Sequence, residues 1–124
     1  MSRDKWQTLQ DFWESFGIPA YDTASVPDDA VMPYIVYTAL TAPFETTTLL
    51  TADIWYRSTA WNGISNKADE IGADVGIGKL ISLQDGKQYI YLAQGSPFAQ
   101  RIYDTDETVK RVRINLMGEF FVFH

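Results

Sequence analysis

TADIWYRST, residues 51–59, has the alternation of a β-strand, in which successive side chains point to opposite faces of a sheet. One face carries only side chains that suit a hydrophobic core: Ala52, Ile54 and Tyr56. The other face places Trp55 between the opposite charges of Asp53 and Arg57. That second face is neither a clean solvent surface nor a clean core, so the strand raises the question of what covers Trp55.

More strands are predicted on both sides of this stretch. PYIVYTAL, residues 33–40, is rich in β-branched and aromatic residues, and the link after it is too short for a crossover helix. We therefore expect it to pair antiparallel with a strand over residues 46–57. Farther on, KLISLQ and KQYIYLA flank Asp85-Gly86, a pair typical of a two-residue hairpin turn, and PFAQRIYD is expected to extend the sheet.

The last strand is predicted over residues 108–117. Its alternation directs three apolar side chains inward: Val112, Ile114 and Leu116. The polar side chains between them face outward: Arg111, Arg113 and Asn115. Such a strand belongs to a sheet that is covered by other elements on one face only.

The opening segment predicts an amphipathic helix over residues 2–16, with Ser2 as a possible cap and Gly17 just past the end. Its apolar side chains recur at helical spacing: Trp6, Leu9, Phe12, Trp13 and Phe16. The next segment, residues 18–32, holds two prolines and a polar DTAS. We expect it to be a connecting arm without a packed element.

A second helix is expected after Ser58, which is available as a cap. Its apolar stripe consists of Trp61, Ile64, Ala68 and Ile71. Asn62-Gly63 is a turn signal, so the helix could instead begin near Ser65. Three glycines then end it: Gly72, Gly76 and Gly78.

The order of these elements predicts an α+β fold, with a mostly antiparallel sheet of about five to six strands and two helices packed on one face. A chain of 124 residues is the size of one ordinary domain and buries roughly two-thirds of its unfolded surface. We therefore expect a single domain over residues 1–124. Its parts are the N-terminal helix 2–16, the irregular arm 18–32 and an α+β body over 33–120.

The composition excludes several classes of protein. Apolar residues make up 46% of the chain, too many for disorder, and no apolar run approaches the roughly 18 residues of a membrane span. The chain has no cysteine, which excludes disulfides and thiolate metal sites. MSRDKWQ lacks the apolar stretch of a secretory signal, so we expect synthesis in the cytoplasm.

The charge of the chain argues against broad affinity for nucleic acid. Sixteen acidic and 10 basic residues give a net charge of −6. Acidic residues concentrate in DDA at 28–30 and in DTDET at 104–108, two segments that otherwise resemble loops. Acidic loops repel phosphate backbones, so DNA is not expected to bind.

No catalytic or metal-binding pattern is present in the sequence. The sole histidine is His124, the last residue, which argues against a Ser-His-Asp or Cys-His site. DTDET begins like a calcium loop, but Val109 stands where the loop needs glycine and Asn115 where it needs glutamate. The three glycines follow a helix, whereas a dinucleotide-binding loop opens one. We expect no enzyme activity, no cofactor and no metal.

Aromatic side chains favour a second covered surface. Tyr89 and Tyr91 share one face of their strand, and Trp55 shares its face with Arg57. Tyr, Trp and Arg are enriched where proteins meet. Together these residues suggest a sheet face that another chain covers.

MPYIVY, then ADIWYRS leading into NKADEIGADVG, then the hairpin and the long basic last strand resemble the small tail-terminator and tail-completion proteins of long-tailed bacteriophages. The likeness covers about residues 1–120. Proteins of that family are not enzymes. They form rings, commonly of six subunits, that cap the growing tail tube and supply the surface to which the filled head is joined.

The resemblance implies a structural virion protein, located in the tail or at the head-tail junction. Its implied partners are further copies of itself, expected as a hexamer in the particle, the tail tube protein and the head-tail connector proteins. DNA would pass without specific binding, and no membrane would be involved. Strand alternation adds a set of candidate interface residues: Trp55, Arg57, Tyr89, Tyr91, Arg111 and Arg113.

Two further hypotheses remain open at this point. Acidic loops could face the central channel of a ring and let DNA pass by repulsion, with plain surface solvation as the alternative. Their residues are Asp28, Asp29, Asp104, Asp106 and Glu107. The alternative function is a small α+β ligand-binding or hydrolytic domain, in which Trp55, Tyr89 and Tyr91 line an aromatic cleft between sheet and helix.

Overall fold

A computed structural model describes residues 5–40, 46–84 and 87–122. In these three ranges the chain forms two helices and a six-stranded sheet, as the predicted α+β class requires. In chain order the elements are α1 Lys5–Glu14, β1 Ala20–Asp22, β2 Tyr34–Tyr37, β3 Thr46–Arg57, α2 Asn62–Val75, β4 Lys79–Gln84, β5 Gln88–Tyr103 and β6 Val109–Val122.

The strands lie in the order β1-β2-β3-β6-β5-β4. β1 and β2 are parallel, and every other neighbouring pair is antiparallel. The predicted antiparallel pairing of residues 33–40 with 46–57 is confirmed, with Ile35 opposite Ile54. β4 and β5 pair as a hairpin requires, and its turn, Asp85-Gly86, lies outside the described residues.

The prediction of a connecting arm without a packed element over 18–32 is wrong, because β1 lies within it. Three residues of β1 pair in parallel with β2, and Ile35 donates a hydrogen bond from its backbone N–H to the carbonyl of Pro19. Two other bounds also differ from the predictions. α1 ends at Glu14 rather than residue 16, and β6 continues past 117 to Val122.

One hydrophobic core lies between the sheet and both helices. Along β3 and β6 the buried apolar side chains are the even-numbered ones, as the alternation predicts: Leu50, Ala52, Ile54, Val112, Ile114, Leu116 and Phe120. α2 packs against β3, β5 and β6. α1 packs against β1 and β4, the two opposite edges, so the sheet curls around it. Trp6, predicted in the apolar stripe of α1, is instead 54% exposed.

α2 differs from the prediction at its start, and its end lies at one of the three glycines predicted to end it. It begins at Asn62 without a side-chain cap, and the Ser58 hydroxyl instead accepts a hydrogen bond from the N–H of Ala60. It ends at Gly76, whose φ of +56° favours glycine and whose N–H donates to the carbonyl of Gly72 at 2.8 Å. Across the described ranges, neither helix has the length and apolar character needed to cross a membrane.

Candidate interaction face

The sheet face opposite the helices, called here the open face, carries the odd-numbered side chains of β3 and β6. Arg111, Arg113 and Asn115 lie there, as predicted. Trp55 lies there too, on the neighbouring strand and opposite Arg111 in register. The predicted split of these two strands into a core face and a second face is confirmed.

Asp53 joins two arginines on the open face. Its carboxylate accepts a hydrogen bond from Nε of Arg111 and one from Nε of Arg113, each at 3.0 Å, and one from Nη2 of each. The Asp53 side chain is 15% exposed, against 27% for Arg111 and 42% for Arg113. The hydrogen bond to Asp53 and its negative charge raise the pKa of Arg113 above its usual value, so this guanidinium stays charged at any ordinary pH.

Arg111 also covers Trp55. Its guanidinium carbon lies 4.7 Å from the centroid of the Trp55 ring, within the range of a cation–π contact. Trp55 is therefore half-buried within one protomer. The group that partly covers it is a charged side chain of β6, not an apolar layer. We call Asp53, Trp55, Arg111 and Arg113 the arginine cluster.

A groove of about 440 Å³ runs beside the arginine cluster. Its described lining holds three charged side chains, Asp53, Arg111 and Arg113, which leaves one net positive charge. Uncharged polar residues complete much of the wall: Thr23, Thr38, Thr51 and Asn115. Nη1 of each arginine makes no hydrogen bond to the described residues. The groove is thus suited to an anionic group that uses these donors.

A second feature of the open face is an apolar patch, defined by Leu49, Leu80, Tyr91 and Met117. Leu49 is directly opposite Met117, and Leu80 is directly opposite Tyr91, so the patch extends over β3, β6, β5 and β4. The four side chains are 37–52% exposed. Beside them, Tyr89 stacks on Phe121 with ring centroids 5.6 Å apart. Exposed apolar side chains grouped in this way are uncommon on the surface of a monomeric protein.

The six predicted interface residues fall into separate groups. Trp55 is opposite Arg111 and Tyr89 is opposite Phe121, so the two aromatic rings lie ten positions apart along β6, on the order of 33 Å. The structure brings Trp55 together with Arg111 and Arg113, and Tyr91 together with the apolar patch. A cleft between sheet and helix lined by Trp55, Tyr89 and Tyr91 is not formed, because all three lie on the open face.

Arg57 has a different position from the rest of the predicted interface. It donates a hydrogen bond to the Thr108 hydroxyl at 2.9 Å and lies 3.9 Å from the carboxylate of Asp106. Its role within the protomer is to hold the turn between β5 and β6. It does not join the arginine cluster.

That turn, residues 104–108, is called here the acidic turn. The carboxylate of Asp104 accepts the backbone N–H of Asp106, and the carboxylate of Asp106 accepts the N–H of Thr108, each at 2.9 Å. The hydrogen bonds from Thr108 and the nearby charge of Arg57 hold the pKa of Asp106 below its usual value. The turn is exposed and carries three carboxylates in a fixed shape: Asp104, Asp106 and Glu107.

The other acidic pair, Asp28 and Asp29, is exposed in the loop between β1 and β2. Within residues 5–40, 46–84 and 87–122, no three His, Cys, Asp or Glu side chains are grouped so that they could hold a metal ion. One oxygen of each of the Asp104 and Asp106 carboxylates, Oδ1, accepts a backbone N–H, as described above.

Sequence reasoning missed an aromatic and cationic cluster around Trp61. The Trp61 ring lies 4.7 Å from the guanidinium of Arg101 and 5.4 Å from the ammonium of Lys110, and it meets Tyr103 edge-on. The sequence predicts Trp61 in the apolar stripe of α2, and Trp61 does pack against the core. Arg101 and Tyr103 are two positions apart on β5, so strand alternation places them on the same face. Only the pairing of β5 with β6 brings Lys110 beside them.

Asp53 was also missed as a candidate site residue, although its place beside Trp55 was visible. Its partners lie far along the chain, on β6, and only the register of β3 with β6 brings them together. No protein-family model matches this sequence, and no curated protein matches it. Inference about function therefore depends on the chemistry of the open face and the acidic turn.

Proposed function

We propose that this chain is a structural virion-assembly protein that forms a ring, expected to have six subunits, and caps a phage tail tube where it joins the head or connector. The observation that carries the proposal is the apolar patch on the open face. The resemblance described above to tail-terminator and tail-completion proteins suggests which assembly forms, namely a ring at the end of a tail tube. The role is non-enzymatic, and the partners are other copies of the chain, the tube protein and the connector proteins.

The apolar patch supports association because its exposed side chains form two cross-strand pairs on four neighbouring strands. Leu49 is 49% exposed and its neighbour Met117 is 37% exposed, on a sheet face that no described helix covers. Contiguous exposed apolar side chains mark surfaces where proteins meet, whereas single ones are ordinary. The adjacent arginine cluster adds the residue types, Trp and Arg, that are enriched at the centre of interfaces.

The charge of the chain supports passage of DNA rather than binding. With a net charge of −6, a ring of such chains would not hold phosphate backbones. Asp28 and Asp29, exposed in the loop between β1 and β2, are the residues we propose for the channel wall. DNA would then move through the ring without specific contacts.

The proposal is tested by assembly on tail tubes. The purified chain, mixed with tail tubes assembled from a phage tube protein, should form rings at tube ends in electron micrographs. By native mass spectrometry the ring should have six times the 14.1 kDa mass of the chain. Met117→Glu should weaken assembly about tenfold or more, because it places a charge within the apolar patch.

Val31→Glu is the matched control, since Val31 is 79% exposed but lies in the loop between β1 and β2. Both variants should keep the circular dichroism spectrum of the wild type. The proposal is wrong if the wild-type chain neither self-associates nor binds tube ends. It also loses its basis if Met117→Glu assembles as well as Val31→Glu.

A further inference from the structure

The groove beside the arginine cluster is positively charged in a chain that is strongly acidic overall. Two guanidinium groups share the single carboxylate of Asp53, and Nη1 of both Arg111 and Arg113 is left without a described partner. Thr51 and Asn115 add uncharged polar groups to the walls. A volume of about 440 Å³ is enough for the side chains of a short turn. Guanidinium groups bind carboxylates through paired hydrogen bonds.

We propose that this groove receives the acidic turn of the next copy of the chain, an inference that rests on the ring proposed above. The turn is the complementary surface, because it is exposed and presents the carboxylates of Asp104, Asp106 and Glu107. The hydrogen bonds of Asp104 and Asp106 to backbone N–H groups fix its shape before binding, which lowers the entropic cost of association.

In the structure the two aspartates of the turn pair with Arg57 and with the turn itself, and not with the groove arginines of the same protomer. Arg57 holds the turn at the end of the sheet, through Thr108 at 2.9 Å and Asp106 at 3.9 Å. Asp53 lies four residues farther along β3, about 13 Å away. The turn that fills a groove therefore comes from another copy.

The contact joins two different surfaces, so it is head-to-tail, the type of contact that closes into a ring. It also assigns the acidic turn to a neighbouring subunit rather than to the central channel. Asp28 and Asp29 are left as the channel residues.

Charge reversal tests the contact in the full chain. Glu107→Arg reverses a charge of the turn and keeps the two aspartates that fix its shape. Arg113→Glu reverses a charge of the groove. Each variant alone should self-associate about tenfold more weakly than the wild type, measured by analytical ultracentrifugation. An equal mixture should recover assembly, because in an alternating ring of six each reversed turn position meets a reversed groove position of opposite sign, and each unchanged turn meets an unchanged groove.

A cross-link tests the same contact with Arg113 intact, so it remains decisive if Arg113→Glu does not fold. The chain has no cysteine, so Thr51→Cys in the groove with Glu107→Cys on the turn introduces one defined pair. Oxidation should give a ladder of up to six linked chains on a non-reducing gel. The control pairs Glu107→Cys with Asp69→Cys, on the exposed side of α2, and should stay unlinked.

The possible failures are distinguishable. If the wild-type chain assembles while the reversals have no effect and the cysteine pair gives no ladder, the groove contact is wrong and the ring still stands. Binding of sulfate to the wild-type groove together with unchanged assembly of both reversal variants would make it a small-anion site, which also overturns the contact. If the wild type never self-associates, alone or at tube ends, the contact and the proposed function are both wrong.

Discussion

Asp53 is the residue on which the arginine cluster depends most. It lies between Arg111 and Arg113, which are two positions apart on one face of β6, and it is the most buried of the three charged side chains. Without its carboxylate, two like charges would stand side by side on the sheet and repel each other. Because Arg111 also covers Trp55, loss of Asp53 would loosen the cover of that ring as well.

Asp53→Asn should lower the free energy of unfolding by about 1–2 kcal/mol, measured by urea denaturation. The substitution keeps the shape of the side chain and removes the charge that the two arginines share. The expected loss is below the roughly 3–5 kcal/mol of a fully buried pair, because Arg113 is 42% exposed and water screens its charge.

Asp69→Asn is the control for this substitution, since it removes the same charge from the exposed side of α2. We expect the control to change the free energy of unfolding by less than about 0.5 kcal/mol. Equal losses in the two variants would mean that the net charge of the chain, and not the arginine cluster, is what matters.

At the scale of elements, α1 is fastened to β1 and β2 through Tyr37 and Gln10. The Tyr37 hydroxyl donates to Oε1 of Gln10, and Nε2 of Gln10 donates to the carbonyl of Ala20 at 2.9 Å. Trp13 of α1 stacks on the Tyr37 ring with centroids 6.4 Å apart. A short strand that sequence patterns miss is thereby joined to the helix that precedes it.

Tyr37 should make the attachment of α1 sensitive to alkaline pH. Burial, and then the charges of Asp22 and Glu14, raise its pKa above the ordinary value of 10.0. The unfolded chain therefore loses this proton first. The stability is fully present below about pH 10 and is lost as the pH rises toward the folded-state pKa. Above about pH 10, the free energy of unfolding should fall less steeply in Tyr37→Phe than in the wild type.

The measurement is urea denaturation between about pH 8 and 11, with Tyr103→Phe as the control because Tyr103 is 76% exposed. At neutral pH, Tyr37→Phe should cost about 1 kcal/mol for the hydrogen bond to Gln10. Parallel pH curves for the wild type and Tyr37→Phe would show that the Tyr37 hydroxyl does not link folding to pH.

The elements that the sequence predicts are those whose pattern is local. Apolar and polar residues alternate along β3 and β6, so the sequence alone predicts both strands and the face that each one buries. β1 has three residues, and its hydrogen bonds go to β2 across the loop at residues 23–33. Nothing local marks such a strand, because its stability comes from a parallel pairing with a distant segment.

For the candidate site too, local patterns are predictable from the sequence and contacts between distant segments are not. Alternation places Trp55, Arg111 and Arg113 on one face, as the structure has them. It does not give the register that sets Asp53 between the two arginines, and it cannot show that Tyr89 lies on the order of 33 Å from Trp55. Residue type and face are local properties, whereas grouping depends on which strands are neighbours.

At the scale of the whole molecule, positive and negative charges are separated. The acidic turn stands at one end of β5 and β6, and the positive groove lies on the open face of β3 and β6. A molecule with two different contact surfaces, one acidic and one positive, suits a closed ring better than a symmetric pair. Asp28 and Asp29 belong to neither surface, so they can be changed without touching the proposed contact.

Replacing Asp28 and Asp29 together by asparagine tests whether they line the proposed DNA channel. Ring assembly should be unchanged, whereas DNA release from purified particles should slow, because repulsion between the channel wall and the phosphates is reduced. Asp69→Asn with Glu70→Gln removes two charges from α2 and serves as the control. Particles are counted by electron microscopy and released DNA is followed by dye fluorescence. Release at the wild-type rate from intact Asp28→Asn, Asp29→Asn particles would show that these two carboxylates do not line the path of the DNA.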